Sequence, residues 1–346
     1  MILFENDYAE GATPEIIDRL TATNFEQTPG YGLDQYSKAA AEKIKQASQI
    51  NEAEVHFLVG GTQTNRTAIS ALLRPFQGVI AAETAHIATH ETGAIEASGH
   101  KVLTLPSCDG KVTASAIDKL VQHHQLDEAR EHTVQPKMVY ISQPTETGLL
   151  YTKQELADIQ AVCRKFDLLF YLDGARLGYG LAAPENDVSL PEIARLTDLF
   201  YFGGTKIGAL FGEALVITNT ACQNDFRYAI KQNGAMFAKG RLLGLQFDTL
   251  FSHDLYMKIC HHAVTEGLRI KQAFAEHGFT FRYDSPTNQQ FPILTRSEIS
   301  NLKRDFSFTY WEELSEDDHA VRFCTSWATK PKEVDQLIKA ISQLRK

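Results

Sequence analysis

Phe202-Gly203-Gly204-Thr205-Lys206-Ile207-Gly208 follows the apolar run Leu199-Phe200-Tyr201-Phe202. The run reads as a short buried strand, and the glycine pair as the turn that leaves it. A lysine in such a place is costly unless its amine is neutral or has a partner. Burial disfavours the ammonium, and a neutral amine is a nucleophile. Taken alone, Lys206 also reads as an amine snorkelling from a strand end.

Two further stretches bear on that choice. Leu169-Phe170-Tyr171-Leu172-Asp173-Gly174-Ala175-Arg176 is a second apolar strand, and it ends in an aspartate. Val59-Gly60-Gly61-Thr62-Gln63-Thr64-Asn65 lies between a strand at Val55–Val59 and a helix predicted over Thr67–Leu73. Glycines let the backbone close on an anion, and a helix start offers free N–H groups and a favourable dipole to a phosphate. A lysine amine suits a Schiff base with an aldehyde, and pyridoxal phosphate carries both aldehyde and phosphate. An aspartate can hold its pyridine nitrogen protonated, which makes the ring an electron sink.

The order of phosphate turn, Asp-x-x-Arg and Thr-Lys resembles the fold-type I pyridoxal phosphate enzymes, specifically the threonine aldolase and β-eliminating lyase family of low-specificity L-threonine aldolase type. The resemblance covers nearly the whole chain. It includes Phe4-Glu5-Asn6-Asp7-Tyr8, Pro29-Gly30-Tyr31-Gly32, Ala85-His86 and Val321-Arg322-Phe323.

The remaining pattern agrees with an α/β class. Apolar strands at Val55–Val59, Val79–Ala82, Lys101–Leu105, Met138–Ser142, Leu168–Leu172, Leu199–Phe202 and Ala214–Thr218 alternate with helical stretches such as Leu156–Phe166. This argues for a mostly parallel sheet covered on both faces. Ligands of such sheets sit beyond the carboxyl ends of the strands, where the phosphate turn, Asp173 and Lys206 all fall. Residues 1–12 read as a polar arm, Pro14 starts a helix, Ser37–Ser48 forms another, and a long helical region runs from about Cys222 to His261. From about residue 246 the pattern changes to a helix (Leu255–His277), strands at Phe281–Tyr283, Phe291–Leu294, Phe306–Tyr310 and Val321–Ser326, and a closing helix at Pro331–Leu344. The expected organisation is an arm (1–14), a large cofactor-binding domain of aminotransferase-like, three-layer form (15–245) and a smaller α+β domain (246–346).

The 346 residues are 43% hydrophobic and 22% charged, with a net charge of -9. That balance argues against a nucleic-acid or anionic-membrane partner. No apolar run approaches the ~18 residues of a membrane span. The opening Met1-Ile2-Leu3-Phe4-Glu5 lacks a basic n-region and an apolar h-region, so the expectation is a chain without a signal peptide. Cys108, Cys163, Cys222, Cys260 and Cys324 have no zinc spacing and read as reduced thiols of a cytoplasmic protein that holds no metal.

The resemblance implies the following roles. Lys206 carries the cofactor. Asp173, Gly60, Gly61, Thr62, Thr205 and His86 contact it. Arg176, Arg322 and Asn6 hold the substrate carboxylate, with Asn6 standing where the family has a serine. His86, Glu91 and Glu146 are the acid–base candidates, and Glu146 stands where well-studied threonine aldolases carry a histidine. Phe237 occupies the place of a family arginine, leaving Lys239 or Arg241 as possible substitutes near the phosphate. The implied activity is cleavage of a β-hydroxy-α-amino acid to glycine and an aldehyde. Alternatives are β-elimination from another amino acid and cofactor binding without turnover. Such sites are commonly completed by a second subunit, which implies a homodimer or homotetramer.

Overall fold

Seven strands build the central sheet: β1 (Glu54–Leu58), β2 (Gln77–Ala82), β3 (Val102–Leu105), β4 (Gln135–Ser142), β5 (Leu169–Asp173), β6 (Leu199–Gly203) and β7 (Glu213–Ile217). Their order is β1-β7-β6-β5-β4-β2-β3. Neighbours run parallel, except that β7 is antiparallel to both β1 and β6. Every residue of β2, β6 and β7 is buried, because helices cover both faces. These strands stand where the apolar runs placed them. β4 starts earlier, at Gln135, and β7 starts at Glu213 rather than Ala214. The computed structural model describes residues 1–107 and 109–345.

The strand ends β5 and β6 approach one another backbone to backbone. A Cβ on Gly174 would lie 1.8 Å from the Tyr201 carbonyl oxygen, and one on Gly203 would lie 2.1 Å from that of Ala175. Only glycine permits this approach. It sets Asp173 and the turn bearing Lys206 side by side.

Two helical expectations are corrected. The helix after β1 spans Gly61–Leu72, so the second glycine of the turn is already helical and the N-terminus sits on the loop itself. The region Cys222–His261 is not continuous. It contains helices Phe226–Gln232 and Arg241–Leu250 and the start of Leu255–Glu276. Gly234, at φ 68, turns the chain between the first two.

A second hydrophobic cluster gathers Ile270, Phe274, Phe308, Val321, Phe323 and Leu337. Around it, Asp318–Cys324 pairs antiparallel with Ile293–Thr295, Thr309–Glu313 and Gln289–Gln290. The expected strand at Phe281–Tyr283 is reduced to a single bridge between Phe281 and Pro292. Helix Leu255–Glu276 gives Tyr256, Cys260 and Val264 to the main core and Ile270 and Phe274 to the second. The division into 1–14, 15–245 and 246–346 is kept as a proposal. Two clusters support it, and this helix ties them together.

The arm is less polar in structure than in sequence. Ile2–Leu3 pairs parallel with Phe306–Ser307. Phe4, 1% exposed, packs into the second cluster. Cys163, Cys222, Cys260 and Cys324 are free thiols, and Cys108 lies outside the described residues. Among the described residues no helix is long and apolar enough to cross a membrane.

Candidate active site

Asp173 ends β5 and is 4% exposed. Four donors converge on its carboxylate. Oδ1 accepts from the Tyr201 hydroxyl and from the Ala175 N–H at 3.0 Å. Oδ2 accepts from the Tyr140 hydroxyl and from Asn65 Nδ2 at 3.1 Å. A buried carboxylate so held has a fixed direction and keeps its acceptor character. Tyr171 donates to Asn65 Oδ1 at 2.7 Å, which fixes the amide so that its NH2 faces the carboxylate.

The same amide reaches Glu91. Asn65 Nδ2 donates to Glu91 Oε1 at 2.8 Å, and His86 Nδ1 lies 2.9 Å from that oxygen. His86, Glu91, Asn65 and Asp173 therefore form one hydrogen-bonded chain. The His86 N–H donates to Glu146 Oε1 at 2.9 Å, and the Ser142 hydroxyl donates to the same oxygen at 2.6 Å. Burial pushes the Glu146 carboxyl above its ordinary range, against the pull of the Ser142 bond. His90, its ring 5.7 Å from that of His86, is held below the ordinary imidazole range by burial and by the neighbouring His86.

The Gly60–Gly61–Thr62 turn faces this group. No side chain caps the helix that begins at Gly61, so its first N–H groups have no protein partner from a cap. A Cβ on Gly60 would meet nothing within 4 Å, whereas one on Gly61 would lie 3.2 Å from the Tyr201 hydroxyl oxygen. Tyr201 thus touches both the phosphate-type turn and Asp173.

Lys206 lies in the turn after β6. Its carbonyl accepts from the buried Tyr179 hydroxyl at 2.6 Å. Burial, and then the Arg176 charge, lower the Lys206 pKa, which favours the neutral amine. Thr205, expected among the cofactor contacts, has its hydroxyl engaged within the turn. Its hydroxyl donates to Glu213 Oε1 at 3.0 Å and accepts from the Gly212 N–H at 3.0 Å. The buried carboxylate competes for it.

Arg176 does not stand free. Its Nε and Nη2 donate to Asp7 Oδ2 and Oδ1 at 2.7 and 3.0 Å, a bidentate pair with a fully buried aspartate. Burial alone would raise the Asp7 pKa, but the charges of Arg176 and Lys206, with the Arg176 and Asn288 hydrogen bonds, outweigh it and hold the carboxyl below its ordinary value. Asn288 Nδ2 adds a third donor to Asp7 at 3.1 Å. Arg322 donates from Nη1 to Gln289 Oε1 at 3.2 Å and from Nη2 to the Glu5 carbonyl at 3.0 Å, and it stacks on Trp311. Its Nε is buried without a partner. Asn6 uses Oδ1 to accept the Tyr8 N–H at 3.0 Å in a local turn.

Lys206, Asp173, His86, Glu91, Glu146 and the glycine turn are thus gathered at one rim. The arm brings Asp7 to Arg176 and the Glu5 carbonyl to Arg322, with Asn6 between them in the chain. Sequence reasoning missed Asn65, Tyr140, Tyr201, Asp7 and Glu213 as site residues. The polar Asn65 beside the glycine turn, and an aspartate within the arm, were the available signals.

Residues 4–290 match the family model described as beta-eliminating lyase. The chain is 44% identical to a threonine aldolase of Leishmania major, covering 100% of both chains with a TM-score of 0.97. A low-specificity L-threonine aldolase of Pseudomonas aeruginosa is 29% identical over 98% of this chain and 96% of its own. An aspartate aminotransferase of Thermus thermophilus, 13% identical, covers 99% of this chain and 91% of its own at a TM-score of 0.72. The last shares the fold alone, which is that of the aminotransferase-like, fold-type I α/β proteins.

Proposed function

The chain belongs to the beta-eliminating lyase family, and from that premise we propose that it is a pyridoxal phosphate-dependent aldolase. Its substrate is a β-hydroxy-α-amino acid of the L-threonine or L-allo-threonine type, cleaved between Cα and Cβ to glycine and an aldehyde. One observation carries the reading: Asp173 and the uncapped Gly61 helix start meet at Tyr201, beside the turn that carries Lys206.

The residues present fit the cofactor. The free N–H groups at the start of Gly61–Leu72 suit a phosphate, and the open side of Gly60 leaves space that a Cβ would occupy. Asp173, aimed by four donors, suits a protonated ring nitrogen, Lys206 the aldehyde carbon, and His86 the ring face. Bound there, pyridoxal phosphate supplies an electron sink for the electron pair of the breaking Cα–Cβ bond.

The chain's own groups supply the rest. Arg322 holds the substrate carboxylate, and its unpartnered Nε is the donor that lacks an acceptor. Arg176, with Nε and Nη2 committed to Asp7, contributes Nη1 and positive charge. Asn6 keeps Nδ2 for the same carboxylate. With Nδ1 turned to Glu91, His86 presents Nε2 to the β-hydroxyl and takes its proton as the bond breaks. Glu146 holds the His86 N–H through Oε1 and leaves Oε2 as the second proton acceptor at that point. Lys206 gives way to the substrate amine and returns when glycine leaves.

We place the protein in the cytoplasm as a homodimer or homotetramer. Support for the assembly comes from Tyr31, Leu33 and Phe237, which are exposed apolar side chains on two turns held together by the Tyr31 N–H to Ala238 carbonyl bond of 3.1 Å.

The test is product analysis with L-threonine and L-allo-threonine after loading with pyridoxal phosphate. Glycine with acetaldehyde in equal amounts is expected. Production of a 2-oxo acid and ammonia instead would assign the chain to elimination.

A further inference from the structure

Glu213 opens β7 and is 4% exposed, yet neither the cofactor-binding groups nor the proposed bond cleavage uses it. It stands opposite Gly203 in the antiparallel register of β6 and β7. Its carboxylate reaches across to the turn before Lys206. Oε2 accepts the Gly204 N–H at 3.2 Å, and Oε1 accepts the Thr205 hydroxyl at 3.0 Å. The Gly212 N–H closes the ring on Thr205 Oγ1 at 3.0 Å. Among the described residues no arginine, lysine or histidine forms an ion pair with it.

An amide in its place would offer the turn one acceptor oxygen where the carboxylate offers two. A lone carboxylate in a buried strand carries a desolvation cost that an amide does not. The charge must therefore be matched by something nearby, and the groups facing it limit the choice. Lys206 faces it from the turn, Asp173 from β5, Tyr171 and Tyr201 from β5 and β6, and Tyr256 from helix Leu255–Glu276. Lys206 is the only cation among them. Lys206 is faced in addition by Arg176 and Asp7, which are paired with each other.

Resting on the reading of Lys206 as the cofactor-bearing amine, we propose that Glu213 is its positioning residue, clamping the Gly204–Thr205 turn and setting a buried carboxylate beside the residue that follows it. When the nitrogen is protonated, Glu213 is the carboxylate that balances it. Their titration agrees with this. Burial pushes Glu213 up to about 8 while Lys206 pulls it down. Burial and then Arg176 push Lys206 down, while Asp7, Asp173 and Glu213 pull it up.

The experiment is a pH titration of the visible absorption of the pyridoxal phosphate-loaded protein, wild type against Glu213→Gln. Removing a negative charge beside the protonated nitrogen lowers the midpoint, by roughly one unit or more for a charge at such range. Thermal unfolding is measured alongside. A merely structural role moves the melting temperature and leaves the midpoint in place, and that result overturns the proposal. Glu213→Asp keeps the charge but draws it back by a methylene. It should lower the midpoint by less than the glutamine does, and an unmoved midpoint in a folded Glu213→Asp protein overturns the proposal if Glu213→Gln does not fold. Failure of wild type to give any visible band strikes the cofactor reading itself, and so is distinct from a failure of Glu213.

Discussion

The Asp7–Arg176 pair decides how the arm contributes to the site. Asp7 is fully buried, Arg176 is largely so at 13% side-chain exposure, and both oxygens of Asp7 are engaged. Removing one partner of a buried pair leaves the other charge unmatched, which costs about 3–5 kcal/mol. Asp7→Asn is therefore expected to destabilise the cofactor-free protein by about that amount in urea unfolding. The sign with pH follows from the depressed Asp7 pKa, whose ordinary value is 3.8. Its contribution is complete above that value and is lost as pH falls through the lower, folded one. The gap between wild type and Asp7→Asn should thus stay constant between neutral pH and pH ~5 and close only in acid. A gap below about 1 kcal/mol at neutral pH would show that the pair is solvated. The sequence offered both residues, but they are far apart in the chain, and nothing local signals that an arm aspartate meets the arginine after β5. Hence Arg176 read as a free carboxylate receptor, whereas its Nε and Nη2 are already occupied.

At the scale of elements, the site depends on where strands stop and helices start. Lys206, Asp173 and the glycine turn were legible because each ends an apolar run, and runs of that kind become buried parallel strands whose carboxyl ends form the rim. The helix start was misplaced because Gly61 and Thr62 have weak helix propensity, and loop-like composition hid the first turn. Glu213 was hidden for a similar reason: one glutamate before Ala214-Leu215-Val216-Ile217 reads as a solvated strand end, while the antiparallel turn folds it inward. The two glycines of the turn are expected to differ on substitution. Gly60 is in extended backbone at φ -165, and its Cβ would be unobstructed. Gly60→Ala should leave cofactor-free stability within about 0.5 kcal/mol of wild type and weaken pyridoxal phosphate binding, because the methyl enters the anion cradle. Gly61→Ala places its Cβ 3.2 Å from the Tyr201 hydroxyl and should cost about 1 kcal/mol or more in stability as well. Thermal unfolding and fluorescence titration of the two variants separate these outcomes. Equal stability losses would contradict the contrast drawn between the two positions.

Across the whole molecule, the arm and one long helix couple the two hydrophobic clusters. Phe4 sits in the second cluster, Asp7 binds Arg176 beside the main sheet, and the Glu5 carbonyl between them receives Arg322. Helix Leu255–Glu276 spans both cores. Of the groups proposed to hold a substrate carboxylate, Arg322 thus comes from the smaller cluster and Asn6 from the arm, while Arg176 and the groups proposed to hold the cofactor come from the sheet. The broad division was legible from the change of pattern near residue 246. The arm's part in joining the two clusters was not, because its short apolar stretch Ile2-Leu3-Phe4 is too brief to read as a strand, and its partner Phe306–Ser307 is distant in sequence. All of this geometry converges on one amine. The most direct measurement loads the protein with pyridoxal phosphate, reduces it with borohydride and maps the modified peptide by mass spectrometry. The expected result is a single stable adduct on the peptide containing Lys206, absent from Lys206→Ala. An adduct on another lysine, or none in a protein that remains folded, would contradict the assignment of this site.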